Sequence, residues 1–179
     1  MPLHISKLDA ARRQLETSID MYFRSGDPIS THALACAAQE ILTALAKHTG
    51  VAIAVSFEGL IDTYVKPEHR AELKDRYREP KNFFKHADRD PNGIVAFSPT
   101  LTEFVLFEAC EAYVQLVKEM PVLLQAFRVW WLLLNHDWLV QLPPEFKAQL
   151  QTLHYRETER ALFYSEYLAA YAKIPNKAA

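Results

Sequence analysis

The residues best able to do chemistry form a short polar segment around His86. Asn82 lies four positions before it, so on a helix the amide and the imidazole would share one face. The neighbouring cationic residues are Arg78, Lys81, Lys85 and Arg89. An imidazole moves protons near neutral pH and clustered cations attract phosphate, so these residue types predict a site for a phosphodiester.

A proline sets the expected position of these groups in their helix. Proline is favoured in the first helical turn, so Pro80 predicts a break, with Lys81 and Asn82 opening a new short helix. Free backbone N–H groups and the positive end of the helix dipole would favour an anion there. We expect Phe83 and Phe84 to anchor this segment to the core and so to fix its polar neighbours.

The run Lys81-Asn82-Phe83-Phe84-Lys85-His86 resembles the motif of the higher-eukaryote-and-prokaryote nucleotide-binding (HEPN) proteins. Those proteins are all-α bundles that carry an arginine, a polar residue that is often asparagine, a few variable residues and a histidine. Many are metal-independent ribonucleases of toxin–antitoxin or phage-defence systems, in which a dimer brings two motifs together over RNA. The longer run through Asp90 also resembles the centre of a short, uncharacterised bacterial all-helical family.

The HEPN resemblance implies a role for each motif residue. His86 would be the acid or base for attack by the 2′-hydroxyl, Lys81 would bind the phosphate, and Asn82 would orient the pair. Arg78, Lys85 and Arg89 are further candidates for binding phosphate. RNA or a nucleotide would be the ligand, and an antitoxin-like protein would be a partner.

One departure from the HEPN motif keeps a second interpretation open. Lysine stands at position 81 where the family has arginine, and an ammonium lacks the bidentate fork that matches a phosphate. In the alternative, His86 is structural and caps or bridges helices through Asp88 or a backbone carbonyl. The chain would then be a non-enzymatic, dimeric interaction or scaffold protein.

The sequence contains no recognisable metal motif. The residues that could be imagined as ligands are His32, Glu40, His86, Asp88, Asp90, His136 and Asp137. Di-iron bundles need Glu-x-x-His pairs on two helices, and neither those pairs nor a His-Glu-x-x-His run occurs. Glycine-rich phosphate loops are also absent. We therefore expect no metal and no other cofactor.

Composition narrows the class of protein. The 179 residues are 50% hydrophobic and include only 4 glycines, too few for the many turns of an all-β protein. A net charge of −2 gives no general attraction to duplex DNA or to an anionic membrane. The two cysteines, Cys36 and Cys110, are expected to be buried thiols in a reducing compartment. Because the first residues lack the apolar run of a signal peptide, we expect a cytoplasmic protein.

The periodicity predicts one all-α domain, a bundle of about six or seven helices. Its expected parts are a helical hairpin plus a third helix (1–65), the charged His86 segment (66–98), apolar core helices with an amphipathic C-terminal helix (99–172) and a loose tail (173–179). The run Val51–Phe57 is compatible with a strand or a helix, and we favour the start of the third helix.

The apolar part of the chain carries most of the large aromatic residues. The stretch 120–142 is expected to be a buried helix rather than a membrane span, because it contains Arg128. That arginine needs a carboxylate partner, for which Glu108 and Glu111 are the candidates. The remaining aromatic residues of interest are Trp130, Trp131, Trp138, Tyr164, Tyr167 and Tyr171. We assign them to the core and its edge and expect a homodimer through these aromatic helices.

Overall fold

Helices form the whole framework of the described chain. The computed structural model describes residues 1–86, 88–136 and 143–174. In those ranges the α-helices are α1 (Lys7–Phe23), α2 (Pro28–Thr49), α3 (Phe57–Tyr64), α4 (Pro67–Phe83), α5 (Thr100–Val117), α6 (Val122–Asn135), α7 (Pro144–Gln151) and α8 (Arg160–Ala172). A 3₁₀ turn, Glu157–Glu159, precedes α8. The all-α single-domain prediction is confirmed, with eight α-helices in the described ranges where six or seven were expected.

Local capping explains where the first hairpin begins and turns. The Ser6 hydroxyl accepts from the Asp9 N–H at 3.0 Å, while the Asp9 carboxylate accepts from the backbone N–H of Ser6, so a capping box opens α1. Asp27 caps α2, and Gly50 ends that helix in the left-handed conformation that favours glycine. Helices α1 and α2 pack against each other.

The core centres on Phe23, which lies between three helices. Its ring is 0% exposed and contacts Phe127 and Trp130 of α6, and it stacks on Tyr164 of α8 with ring centroids 4.4 Å apart. The neighbouring Trp131 stacks on Phe107 of α5. These contacts place the large aromatic side chains in the core and at its edge, as expected; Trp138 lies outside the described residues.

The polar residues of the apolar helices are paired. The Arg128 Nε lies 2.6 Å from Glu111 Oε1, which settles the choice between its two candidate partners.

Both predicted buried thiols, Cys36 and Cys110, are buried and free. Within the described ranges, no helix is both long enough and apolar enough to cross a membrane.

The prediction that the third helix begins with the run Val51–Phe57 was wrong for residues 51–56. Residues 51–56 are not helical, and α3 begins only at Phe57. The Ala54 N–H donates to Gln115 Oε1 at 3.0 Å, and the Phe57 N–H donates to the Glu108 carboxylate. Side chains of α5 thus supply the partners that a helix or a paired strand would otherwise provide. We call residues 51–56 the α2–α3 segment.

We expect Phe23→Ala to lower the free energy of unfolding by about 3–5 kcal/mol, because it leaves a cavity between packed aromatic rings. Urea unfolding measures the change. The matched control is Leu162→Ala, since Leu162 is 49% exposed on α8, and its cost should stay within about 0.5 kcal/mol. Equal costs for the two variants would contradict the assignment of Phe23 to the centre of the core.

Candidate functional site

Helix α4 continues through Pro80, and this corrects the predicted anion site. Pro80 lies inside the helix, and its carbonyl accepts from the Phe84 N–H at 3.0 Å. Lys81 and Asn82 therefore occupy the last turn of α4 rather than the first turn of a new helix. The C-terminal end of a helix carries the negative pole of its dipole, which favours the Lys81 ammonium but offers no N–H groups to an anion.

The histidine of the motif lies just beyond the end of α4. The His86 N–H donates to the Asn82 carbonyl at 3.1 Å, so the two residues are one turn apart, as their spacing predicted. His86 is exposed, as are Arg89 and Asp88. Within the described residues the His86 imidazole makes no hydrogen bond to Asp88, so of the two bridges expected for a structural role the one through Asp88 does not form there.

Phe84 anchors the motif against a buried histidine. Its ring meets the His32 ring edge-on, with centroids 6.0 Å apart, and the Phe97 ring at 5.3 Å. Of the two phenylalanines expected to anchor this segment, Phe84 makes these contacts, while the ring contact of Phe83 is with Phe84 itself.

His32 is a structural residue. It is 0% exposed, with Nδ1 3.1 Å from the Thr102 hydroxyl and Nε2 3.4 Å from the Cys36 sulfur. Burial, helped by the charges of Lys81 and Lys85, lowers the pKa of His32 to about 4, so the ring is neutral near pH 7. Burial also raises the pKa of the Cys36 thiol to about 12, which excludes a reactive thiolate there.

Two of the predicted phosphate ligands share one carboxylate. Lys81 Nζ lies 2.8 Å from Glu40 Oε1, and Lys85 Nζ lies 3.5 Å from Glu40 Oε2. Burial acts to raise the pKa of Glu40, but the hydrogen bond from Lys81 and the charges of both lysines lower it overall. The carboxylate is therefore ionised near neutral pH, and the trio carries an excess of one positive charge.

Arg78 is directed to a different partner. Its Nε donates to Glu58 Oε1 at 2.9 Å, and its Nη2 contacts the same oxygen. This ion pair connects α4 to the first turn of α3. The structure thus brings Lys81 and Lys85 together at Glu40, whereas the Arg78 guanidinium is paired with α3.

A cavity of about 470 Å³ adjoins Lys81. Its lining comes from α2, the α2–α3 segment, the beginning of α3, α4 and α5. Val51, Ile53 and Val55 form an apolar wall, while Lys81 and Glu40 are part of the polar lining. A volume in this range suits a small organic molecule.

Glu108 is the functional candidate that sequence reasoning missed. It lines the cavity, is only 3% exposed, and accepts hydrogen bonds from the Tyr77 hydroxyl and the Phe57 N–H. Burial raises its pKa more than these two hydrogen bonds lower it. The available signal was a carboxylate inside an apolar helix, which we had considered only as a partner for Arg128.

The described residues contain no group of three or more histidine, cysteine, aspartate or glutamate side chains placed to hold a metal ion. Of the residues considered as ligands, Asp137 lies outside the described ranges. His32 is committed to Thr102 and Cys36, and Glu40 is committed to two lysines.

Together these features define a helical bundle with a cavity whose lining is partly apolar and partly polar. A cationic segment adjoins this cavity. The chain matches no protein-family model, no curated protein and no solved structure.

The raised pKa of Glu108 predicts a specific pH dependence of stability. The folded state holds the proton of the Glu108 carboxyl more tightly than the unfolded state does. The stability that this proton contributes is therefore complete below the pKa of Glu108 in the unfolded chain, and it is lost as pH rises through the pKa in the folded protein. The wild type should therefore lose stability relative to the Glu108→Gln variant as pH rises above 4.5, the ordinary pKa of a glutamate. The expected change is a fall in the difference between their free energies of unfolding, wild type minus variant. Urea titrations across a pH series measure this difference, and a flat or rising difference would contradict the assignment.

Proposed function

We propose that the protein binds RNA or a nucleotide through the segment Lys81–Arg89. The observation that carries this proposal is that Lys81 and Lys85 share the Glu40 carboxylate, and that the exposed His86 follows Lys85 directly in the chain. The resemblance of this segment to the HEPN motif supports it. Arg89, which is exposed beyond His86, is a further phosphate ligand in this proposal.

Electrostatics favours Lys85 as the first contact for phosphate. Its 3.5 Å distance to Glu40 is longer than the 2.8 Å distance of Lys81, and its side chain is 34% exposed against 17%. A phosphate can therefore approach Lys85 without removing Lys81 from Glu40. The anion would neutralise the excess positive charge of the trio.

The small extent of this charged segment favours a single strand or a free nucleotide over a duplex. Duplex recognition relies on many phosphate contacts, whereas the chain as a whole carries a net charge of −2. Single-stranded RNA offers unstacked bases and a flexible backbone that a short segment can hold.

A ribonuclease activity is the finer part of the proposal. The His86 imidazole would take the proton of the 2′-hydroxyl, the resulting oxygen would attack phosphorus, and the bond to the leaving oxygen would break. A second proton donor, His86 of a second copy in a homodimer, would protonate that leaving oxygen. The products would be a cyclic phosphate end and a free hydroxyl end, with no metal required.

The proposal carries three further expectations about context. We place the protein in the cytoplasm, where single-stranded RNA is abundant, and we expect a homodimer. An antitoxin-like protein would cover the Lys81–Arg89 segment when the activity is held in check. Trp130 and Tyr164 are buried within the chain, so the dimer contact must use other parts of the aromatic helices.

The ion pairs of α4 favour a second candidate, a non-enzymatic interaction or scaffold protein. Lys81 ties α4 to α2 through Glu40, and Arg78 ties it to α3 through Glu58. In that case the cations stabilise the fold and bind no phosphate. The two candidates differ in whether the exposed residues of the segment contact a ligand.

We expect Lys85→Glu to weaken the binding of a fluorescent single-stranded RNA by about tenfold or more, because a cation is replaced by an anion. Replacing it with neutral glutamine should reduce the slope of log affinity against log salt by about one. The matched control is Lys66→Glu at the other end of α4, which should bind as the wild type does. RNA binding that responds equally to both glutamate variants would remove the support for this segment.

For the ribonuclease, we expect His86→Ala to abolish RNA cleavage in the presence of a chelator while leaving the melting temperature unchanged, because the imidazole is exposed. The matched control is His69→Ala, at an exposed histidine of α4, the helix that precedes His86, and this variant should cleave normally. Cleavage is followed by gel electrophoresis and melting by circular dichroism. A wild-type protein that cleaves no RNA, or a His86→Ala variant that mainly melts earlier, would favour the scaffold candidate.

A further inference from the structure

We propose that the cavity beside Lys81 binds a nucleobase that carries an amino group. This inference rests on the proposed function, because it assigns the base of the ligand whose phosphate meets Lys81 and Lys85. The base can belong to a free nucleotide or to an unstacked position of an RNA strand.

The first argument is continuity between the cavity and the cationic segment. Lys81 lines the cavity and pairs with Glu40, which also lines it, and Lys85 contacts the other oxygen of the same carboxylate. A phosphate held by these lysines is therefore next to the cavity. The remaining parts of a nucleotide bound there can reach the opening of the cavity.

The second argument is the fit of volume and lining. The cavity measures about 470 Å³ and combines an apolar wall (Val51, Ile53 and Val55) with a few polar groups. A nucleobase is a compact heterocycle whose faces are apolar and whose edges form hydrogen bonds. Sites for such molecules are mainly apolar, with a small number of placed polar groups.

The third argument concerns which base edge the lining matches. Both contacts of Arg78 with Glu58 go to Oε1, so among the described residues Oε2 of Glu58 keeps its capacity to accept a hydrogen bond. Glu58 lines the cavity. A carboxylate accepts from ring N–H and amino groups, and guanine presents these two donors side by side. Uracil offers one N–H between two carbonyl oxygens, which a carboxylate repels.

The experiment blocks the cavity without disturbing the core. Ala44 lines the cavity and is exposed on α2, so Ala44→Trp places a large ring at the opening. The matched control is Ala71→Trp, at an exposed alanine of α4 that does not line the cavity. Circular dichroism and melting curves establish that both variants are folded.

Calorimetry with guanosine monophosphate and uridine monophosphate gives the first comparison, and anisotropy with guanine-bearing and uracil-only RNA strands gives the second. We expect the guanine ligand to bind about tenfold more tightly than the uracil ligand. Ala44→Trp and Glu58→Gln should each reduce that preference at least several-fold, and Ala71→Trp should leave it unchanged. If the substitutions reduce the guanine preference among mononucleotides, the ligand is a free nucleotide. If they reduce it only among RNA strands, the ligand is a base within RNA.

Equal binding of guanine and uracil ligands, or a preference that Ala44→Trp leaves intact, would overturn the base pocket. If RNA binding nevertheless depends on Lys85, the proposed function stands and only this inference fails. If no RNA or nucleotide binds to the wild type, both fail together.

Discussion

The arrangement of the helices around the cavity depends on one constraint, the buried carboxyl group of Glu108. A carboxyl group inside an apolar helix is costly unless donors reach it. Tyr77 of α4 and the Phe57 N–H at the start of α3 are those donors, so a single side chain fixes two other helices against α5. Gln115, two turns further along the same face of α5, holds Ala54 in the same way. The α2–α3 segment is therefore held by side chains of α5, and the cavity lies between this segment and the neighbouring helices.

The parts of the fold that could be predicted are those set by neighbouring residues. The capping box at Ser6 and the glycine that ends α2 are local signals, and both mark real helix boundaries. That Arg128 pairs with a carboxylate was also predictable, because a cation in an apolar helix needs one, but the choice of Glu111 over Glu108 required the packing of α5 against α6.

The errors arose where a distant contact overrode a local preference. The β-branched run at Val51 looked like regular structure, but the N–H groups of Ala54 and Phe57 donate to side chains more than fifty positions away. Pro80 looked like a helix start, yet it lies buried within α4. The sequence singles out the motif residues, whereas their place at the C-terminal end of α4 and the burial of Glu108 depend on tertiary packing that periodicity does not encode.

The end of α4 also decides how a phosphate could be bound. At a helix N-terminus, backbone N–H groups would add to the attraction, whereas here the helix dipole opposes an anion and Lys81 already has a carboxylate partner. A phosphate that binds Lys81 replaces the Glu40 carboxylate, so the net gain in binding free energy is only the difference between the two ion pairs. Lys85 has a longer contact with Glu40, so a phosphate gains more binding free energy by pairing with Lys85. A ligand recognised by phosphate alone would therefore be weakly held and sensitive to salt, and tight binding would require contacts from the rest of the molecule. The cavity beside Lys81 is positioned to supply them, because apolar burial adds a contribution that salt does not screen.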